Sequence, residues 1–326
     1  MRVLITGVSG QDGWHLRNFL QKRGIEIFGL TSIGQNQIQF QSLSDYSQIS
    51  PKYLKPFNLN DISNSIFTDI LDMIRPDRIF HLAAVHQSSN LSEKFYNSNK
   101  LKIHLVSVEM TRQFLIWVEK NPDSRLFLAL TSQMYSADSN QITSVNENHI
   151  RAPINYYAET KSIAWDLAKK SRLLHGTNVS TGILFNHSSP RSKLNFLFPT
   201  LAKKIIDVIE NKSNVVVLDD FDAMLDMTHA EEVVECIWNV SDKFPSSDFV
   251  IGSGKLLSIK TITDQTFQEL GYNLTAKYMS TNKNPNAGYL VSNISKLSEA
   301  TGWDPIKTPS EILIELIRSL NSRKDF

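Results

Sequence analysis

From residue 1 to about 185, short apolar and β-branched runs alternate with longer stretches of helical period. The apolar runs fall at residues 3–6, 25–30, 78–82, 126–130 and 179–185, and helices are predicted between them over 14–23, 61–74, 103–119 and 157–174. This is the rhythm of βαβ units and a parallel sheet. The predicted fold is therefore α/β, a Rossmann-type doubly wound parallel sheet that binds ligands at the carboxyl ends of its strands. Residues 31–54 are polar, rich in Gln and Ser and without a steady period, and read as a surface excursion. Past 185 the pattern loosens. Helices are predicted over 196–210, 229–240, 258–270, 294–301 and 309–320, with strands at 215–218 and 249–251. The expected division is a larger nucleotide-binding lobe, 1–185 with parts of 214–253, and a smaller lobe made of 186–213 and 254–326.

Composition narrows the functional classes. The chain has 326 residues, 41% of them hydrophobic, with 34 Lys and Arg against 33 Asp and Glu. A formal charge of +1 gives no general affinity for nucleic acid or an anionic membrane, both of which need clustered basic residues. The single cysteine, Cys236, cannot form an intrachain disulfide, and its apolar helical setting reads as a buried, inert thiol. No metal site is expected; Asp219 and Asp220 have no third ligand near in sequence. The chain opens directly into a strand pattern without a signal peptide, and no apolar run reaches membrane-spanning length, so a cytoplasmic protein is expected.

Three motifs carry chemistry. Gly7, Gly10 and Gly13 follow the first strand and open a helix, where glycines let the backbone turn tightly and approach a pyrophosphate that meets the helix N-terminus. Tyr157 and Lys161 lie four apart in a helical stretch, which puts phenol and ammonium on one face, and a nearby cation favours the phenolate. Thr131, Ser132 and Gln133 follow the run at 126–130, so that hydroxyls stand at a strand's carboxyl end. Among other polar residues, His81 and His229 read as structural, His86 as a cleft candidate, and Trp117, Trp165 and Trp238 as packing.

Together these motifs resemble the extended short-chain dehydrogenases/reductases, and in detail the GDP-mannose 4,6-dehydratase family. The resemblance rests on Thr6–Gly13, on Thr131–Tyr135, on Gly182–Arg191 with Asn195 and Phe196, and on Asp226–Ala230. It implies a nucleotide-diphosphate-sugar substrate, GDP-linked by default, held between two lobes, with NADP or NAD at the glycine turn. Cofactor contacts are implied at Gly7, Gly10, Gln11, Asp12, Gly13, Thr31, Ser32, Asn58, Leu59, Ala83, Ala84, Tyr157 and Lys161. Tyr157 would be the base at the sugar C4 hydroxyl. Lys161 would hold the nicotinamide ribose and Thr131 the C4 oxygen. Substrate contacts are implied at His86, Ser132, Asn186, Arg191 and Asn195. Relatives commonly form homodimers or homotetramers.

The chain departs from that pattern. The family's C5-deprotonating glutamate is Gln133, and an amide is no general base near neutral pH. A family arginine near the nucleotide is Leu225, and an Arg-Pro-Thr-Glu-Val run reads Asn284–Gly288. Thr31 and Ser32 stand where an acid would favour NAD and an arginine NADP; small hydroxyls leave room for a phosphate and lean toward NADP. The expected function is hydride transfer at sugar C4, by a 4-dehydrogenase, 4-ketoreductase or epimerase. A full 4,6-dehydratase is the alternative, and a non-catalytic cofactor-binding protein is the alternative of another class.

Overall fold

The computed structural model describes residues 1–33, 37–42, 57–63, 65–85, 93–272 and 277–322. In chain order the first elements are β1 (Arg2–Thr6), α1 (Gln11–Gln21), β2 (Glu26–Ile33), β3 (Gln37–Ser42), β4 (Phe57–Asn58), α2 (Ser65–Ile74) and β5 (Arg78–His81). There follow α3 (Glu93–His104), a π-helical turn (Leu105–Glu109), α4 (Met110–Lys120), β6 (Arg125–Thr131), β7 (Ile142–Val145), α5 (Tyr156–His175), β8 (Val179–Leu184) and β9 (Asn186–Ser188). The remainder comprises α6 (Leu197–Ile209), β10 (Val215–Leu218), β11 (Met224–Leu225), β12 (Met227–His229), α7 (Ala230–Lys243), β13 (Asp248–Ile251) and β14 (Leu257–Ser258). The last elements are α8 (Ile259–Glu269), β15 (Lys277–Ser280), β16 (Tyr289–Ser292), α9 (Ser295–Thr301) and α10 (Pro309–Ser322).

The main sheet has the order β13-β8-β6-β5-β1-β2-β3-β4, and its first six strands are mutually parallel. Its apolar runs are unbroken because both faces are covered. Val3 and Ile5 join Phe80 and Phe127 in a core under α1 and α7, whereas Leu4 joins Ile79, Leu126 and Leu128 under α2, α4 and α5. The chain leaves β1 for β2 on one side and returns to β5 on the other. The carboxyl end of β1 is therefore the topological switch point, where such sheets open a crevice.

Of the 31–54 stretch, 34–36 and 43–54 lie outside the described residues, and 37–42 departs from expectation. Gln37–Ser42 is a strand antiparallel to β2, with Ile38 opposite Ser32 and buried in the core. Its Gln-Ile-Gln-Phe-Gln alternation has the period of a strand, which the surrounding polar residues hide. The helix predicted over 103–119 is the end of a longer one that begins at Glu93, and the apolar signal starts only where the π turn and α4 pack on the core.

A third core joins α6, β10, α8 and α10 beside the sheet's carboxyl edge. One buried carboxylate ties this region to the sheet. Asp226, 1% exposed between β11 and β12, accepts from the amide and hydroxyl of Ser253 at 2.6 and 2.7 Å and of Ser292 at 2.8 and 2.6 Å. Removing it takes the acceptor from four donors, and the two on buried Ser292 are left in the interior. Asp226→Ala is expected to lower the free energy of unfolding by about 3 kcal/mol, read from the urea midpoint, and a loss under about 1 kcal/mol would show that the junction does not depend on it.

Candidate active site

A cavity of about 630 Å³ opens over the carboxyl ends of β1, β2, β5, β6 and β8 and is walled on its far side by Phe198, Leu225 and Met227. At its floor β1 gives way to Gly7, which has φ +71° and would place a Cβ 2.9 Å from the Ala83 Cα. Glycine is required there for both conformation and clearance. Gly10 caps α1 without any side-chain bond to the helix, so the first amides and the positive end of the helix lie at the cavity wall. Beneath the turn, His81 holds β5 to β1. Its Nε2 meets the Val106 carbonyl at 2.9 Å and therefore carries the proton, leaving Nδ1 to accept from the Thr6 hydroxyl at 2.7 Å. Burial holds this histidine down to about 3 and keeps it neutral.

An acid in the first turn of α1 would weaken an anion site, and Asp12 is such an acid. It is paired with His187, whose Nε2 lies 3.1 Å from both carboxylate oxygens while its Nδ1 faces the Phe185 carbonyl at 2.8 Å. Both ring nitrogens face acceptors, so both carry protons and the ring is a cation. Burial opposes that charge, but the Asp12 carboxylate outweighs it and pushes His187 up to about 9. Gln11 latches the same two segments together: its Oε1 accepts from Ser189 at 3.1 Å and from Ser192, and its Nε2 donates to the His187 carbonyl at 3.5 Å.

The opposite wall is built by α5 on β6. Lys161 is 3% exposed and donates from Nζ to the Ala129 carbonyl at 2.8 Å, 5.8 Å from the centre of the Tyr157 ring. Desolvation holds it down to about 8, so it is still an ammonium at neutral pH. Tyr157, Lys161, Thr131, Ser132 and Gln133 all line the cavity. The Thr131 hydroxyl oxygen accepts from the Gln133 amide at 3.3 Å, which leaves its proton free to donate. Gln133 Oε1 accepts from Asn155 Nδ2 at 2.8 Å, and Asn155 in turn caps α5 through Ala158 N at 2.9 Å.

Of the other residues expected in a site, Gln11, Asp12, Thr31, Ser32, Leu59, Ala83, Ala84, Asn186 and Arg191 also line the cavity. Gly13 lies behind it, where a Cβ would come within 2.3 Å of the Gly7 carbonyl, and serves close helix–turn packing. Asn58 accepts from Asn60 N at 2.9 Å on the surface, Asn195 is exposed outside the cavity, and His86 lies outside the described residues. Arg191 stands over the Trp14 ring at 4.5 Å. His229 caps α7 and meets Glu315 at 3.0 Å, a structural place, and Cys236 is buried with its thiol pushed far up by desolvation. His187, Asn155 and Ser9, whose hydroxyl meets that of Thr31 at 2.5 Å, were not singled out from the sequence. His187 sits inside the 182–191 segment and Asn155 has the residue type of a helix cap, but neither signal names its partner.

The sheet, the glycine turn and the Tyr–Lys helix define an extended short-chain dehydrogenase/reductase. Residues 4–315 match the GDP-mannose 4,6-dehydratase family model, and the chain belongs to that family. It is 28% identical over 280 residues to the GDP-mannose 4,6-dehydratase of Vibrio cholerae, covering 84% of this chain and 73% of that one. Among solved structures, dTDP-glucose 4,6-dehydratase from Bacillus anthracis in complex with NAD superposes with a TM-score of 0.74 at 18% identity, covering 100% and 98% of the two chains. RMD from Pseudomonas aeruginosa complexed with NADPH gives 0.71 at 18% identity, covering 99% of each.

The Asp12–His187 pair makes stability depend on pH. A histidine raised from 6.5 to about 9 in the folded state contributes fully below the lower value and loses that contribution as pH rises through the upper one. The gap in urea midpoint between the wild-type protein and His187→Gln is therefore expected to be wide at about pH 6 and to close by about pH 10. A gap that stays constant over that range would show that the ring is not charged.

Proposed function

We propose that this protein oxidises or reduces C4 of a nucleotide-diphosphate sugar with a nicotinamide cofactor, without eliminating water. The observation that carries the reading is the buried Lys161 ammonium, held on Ala129 beside Tyr157 on the wall of a cavity whose floor is the glycine turn. The residues present suit a dinucleotide: the uncapped start of α1 offers amides to a phosphate, the Gly7 clearance admits a close backbone approach, and His187 cancels the charge of Asp12. When bound, the cofactor supplies the acceptor or donor of hydride.

The protein's own groups then have distinct tasks. Tyr157 takes the proton of the C4 hydroxyl during oxidation and returns it during reduction. Lys161 stabilises the phenolate and has further N–H donors for a ribose. Thr131 donates to the C4 oxygen. Deprotonation at C5, which elimination would need, has no base at Gln133. Asp12 is the only carboxylate that lines the cavity among the described residues, and it is committed to His187. A GDP sugar is the substrate this reading starts from. NADP is the preferred cofactor, because Ser9, Thr31 and Ser32 offer hydroxyls and no carboxylate at the end of β2.

Incubation with GDP-mannose and NADP, followed by mass spectrometry, is expected to give NADPH and a product that has lost hydrogen but not water. Loss of water would establish a dehydratase instead. Tyr157→Phe is expected to reduce turnover by at least about a hundredfold while cofactor affinity, followed by fluorescence titration, stays nearly unchanged. An unaltered rate would remove Tyr157 from the chemistry.

A further inference from the structure

The hydrogen bonds around Gln133 determine which end of its amide is free. The Ala158 backbone N–H can be satisfied only by an acceptor, so the Asn155 atom 2.9 Å from it is Oδ1 and the other end of that amide is Nδ2. Nδ2 is a donor, so the Gln133 atom 2.8 Å away must be Oε1. A single helix cap thus orients two amides in series. It leaves Gln133 Nε2, with two N–H donors, unpartnered among the described residues on a side chain that lines the cavity. A carboxylate at this position would present acceptors only; the amide presents the opposite polarity to whatever lies there.

We propose that Gln133 is a specificity-determining residue: its Nε2 donates to an oxygen carried on C6 of the sugar, and the Gln133–Asn155 pair favours nucleotide hexoses over their 6-deoxy counterparts. This rests on the C4 reading above. Thr131, whose hydroxyl oxygen accepts from the Gln133 backbone N–H at 3.3 Å, places C4 next to it, and in that reading residue 133 stands on the C5 side. On that side an oxygen at C6 can accept from the amide, whereas a C6 methyl group leaves a desolvated N–H without a partner.

The test compares kcat/KM for GDP-mannose with that for its 6-deoxy counterpart, and for other nucleotide hexose pairs if GDP-mannose is inert, in wild-type protein, Gln133→Ala and Asn155→Asp. The wild type should prefer the hexose by about tenfold, and Gln133→Ala should bring the ratio close to one. Asn155→Asp should do the same with Gln133 intact. The new carboxylate still accepts from Ala158 N and so keeps the helix cap, but it also accepts from Gln133 Nε2 and turns the donor end away from the cavity. Its thermal unfolding should stay near wild type, which separates this effect from misfolding. A wild-type ratio near one, or an Asn155→Asp variant that keeps the preference, overturns the inference while Tyr157→Phe still abolishes turnover. Absence of turnover on every nucleotide hexose, or an active Tyr157→Phe, removes the C4 reading and this inference with it.

Discussion

The Lys161 ammonium on the Ala129 carbonyl is the contact on which the arrangement of the site depends. A charged amine at 3% exposure is costly to desolvate, and that burial lowers Lys161 to about 8. Because the charge is tolerated only where the carbonyl receives it, the contact sets the register of α5 against β6. Residues one helical turn apart share a face, and alternate residues of a strand share a side. Tyr157 and Thr131 are thereby brought to one cavity from elements that lie apart in the chain.

The charge of the cavity follows from pairings and not from the whole chain, whose formal charge is only +1. Lys102, Lys161, His187, Arg191 and Lys193 line it, and the one carboxylate among its described lining residues is neutralised by His187. An anionic ligand therefore meets a locally positive surface over the start of α1 on a protein that is otherwise balanced. The same pair, with the Gln11 latch, binds the glycine turn to the segment that carries Asn186 and Arg191. Two walls of the cavity are consequently held in fixed relation before any ligand arrives.

Family membership and local chemistry pull in different directions at Gln133. The family model spans residues 4–315, yet the side chain beside Thr131 is an amide whose oxygen is occupied by Asn155. A change from carboxylate to amide alters both acid–base capacity and hydrogen-bond polarity without altering shape, so the fold accommodates it freely while the chemistry does not. Function in this family thus has to be argued from the site's own atoms.

The parallel sheet, the glycine turn and the Tyr157–Lys161 pair were readable from the chain because each is a local pattern: an apolar run, a spacing of three, a spacing of four on one helix. The β3 strand was hidden only by its glutamines, and the short strands β9, β11, β12 and β14 are too brief to show a period at all. The resemblance marked Asp12 and Gln133 as site residues without naming what each is paired with. Their partners come from elsewhere in the chain: His187 is 175 residues beyond Asp12, and Asn155 is 22 beyond Gln133. Whether Asp12 is a free anion or half of a neutral pair, and which end of the Gln133 amide is free, depends on hydrogen bonds that exist only once the helix ends and strand ends are packed together. Local spacing determined the class of protein, and tertiary contact decided the electrostatics and polarity of its site.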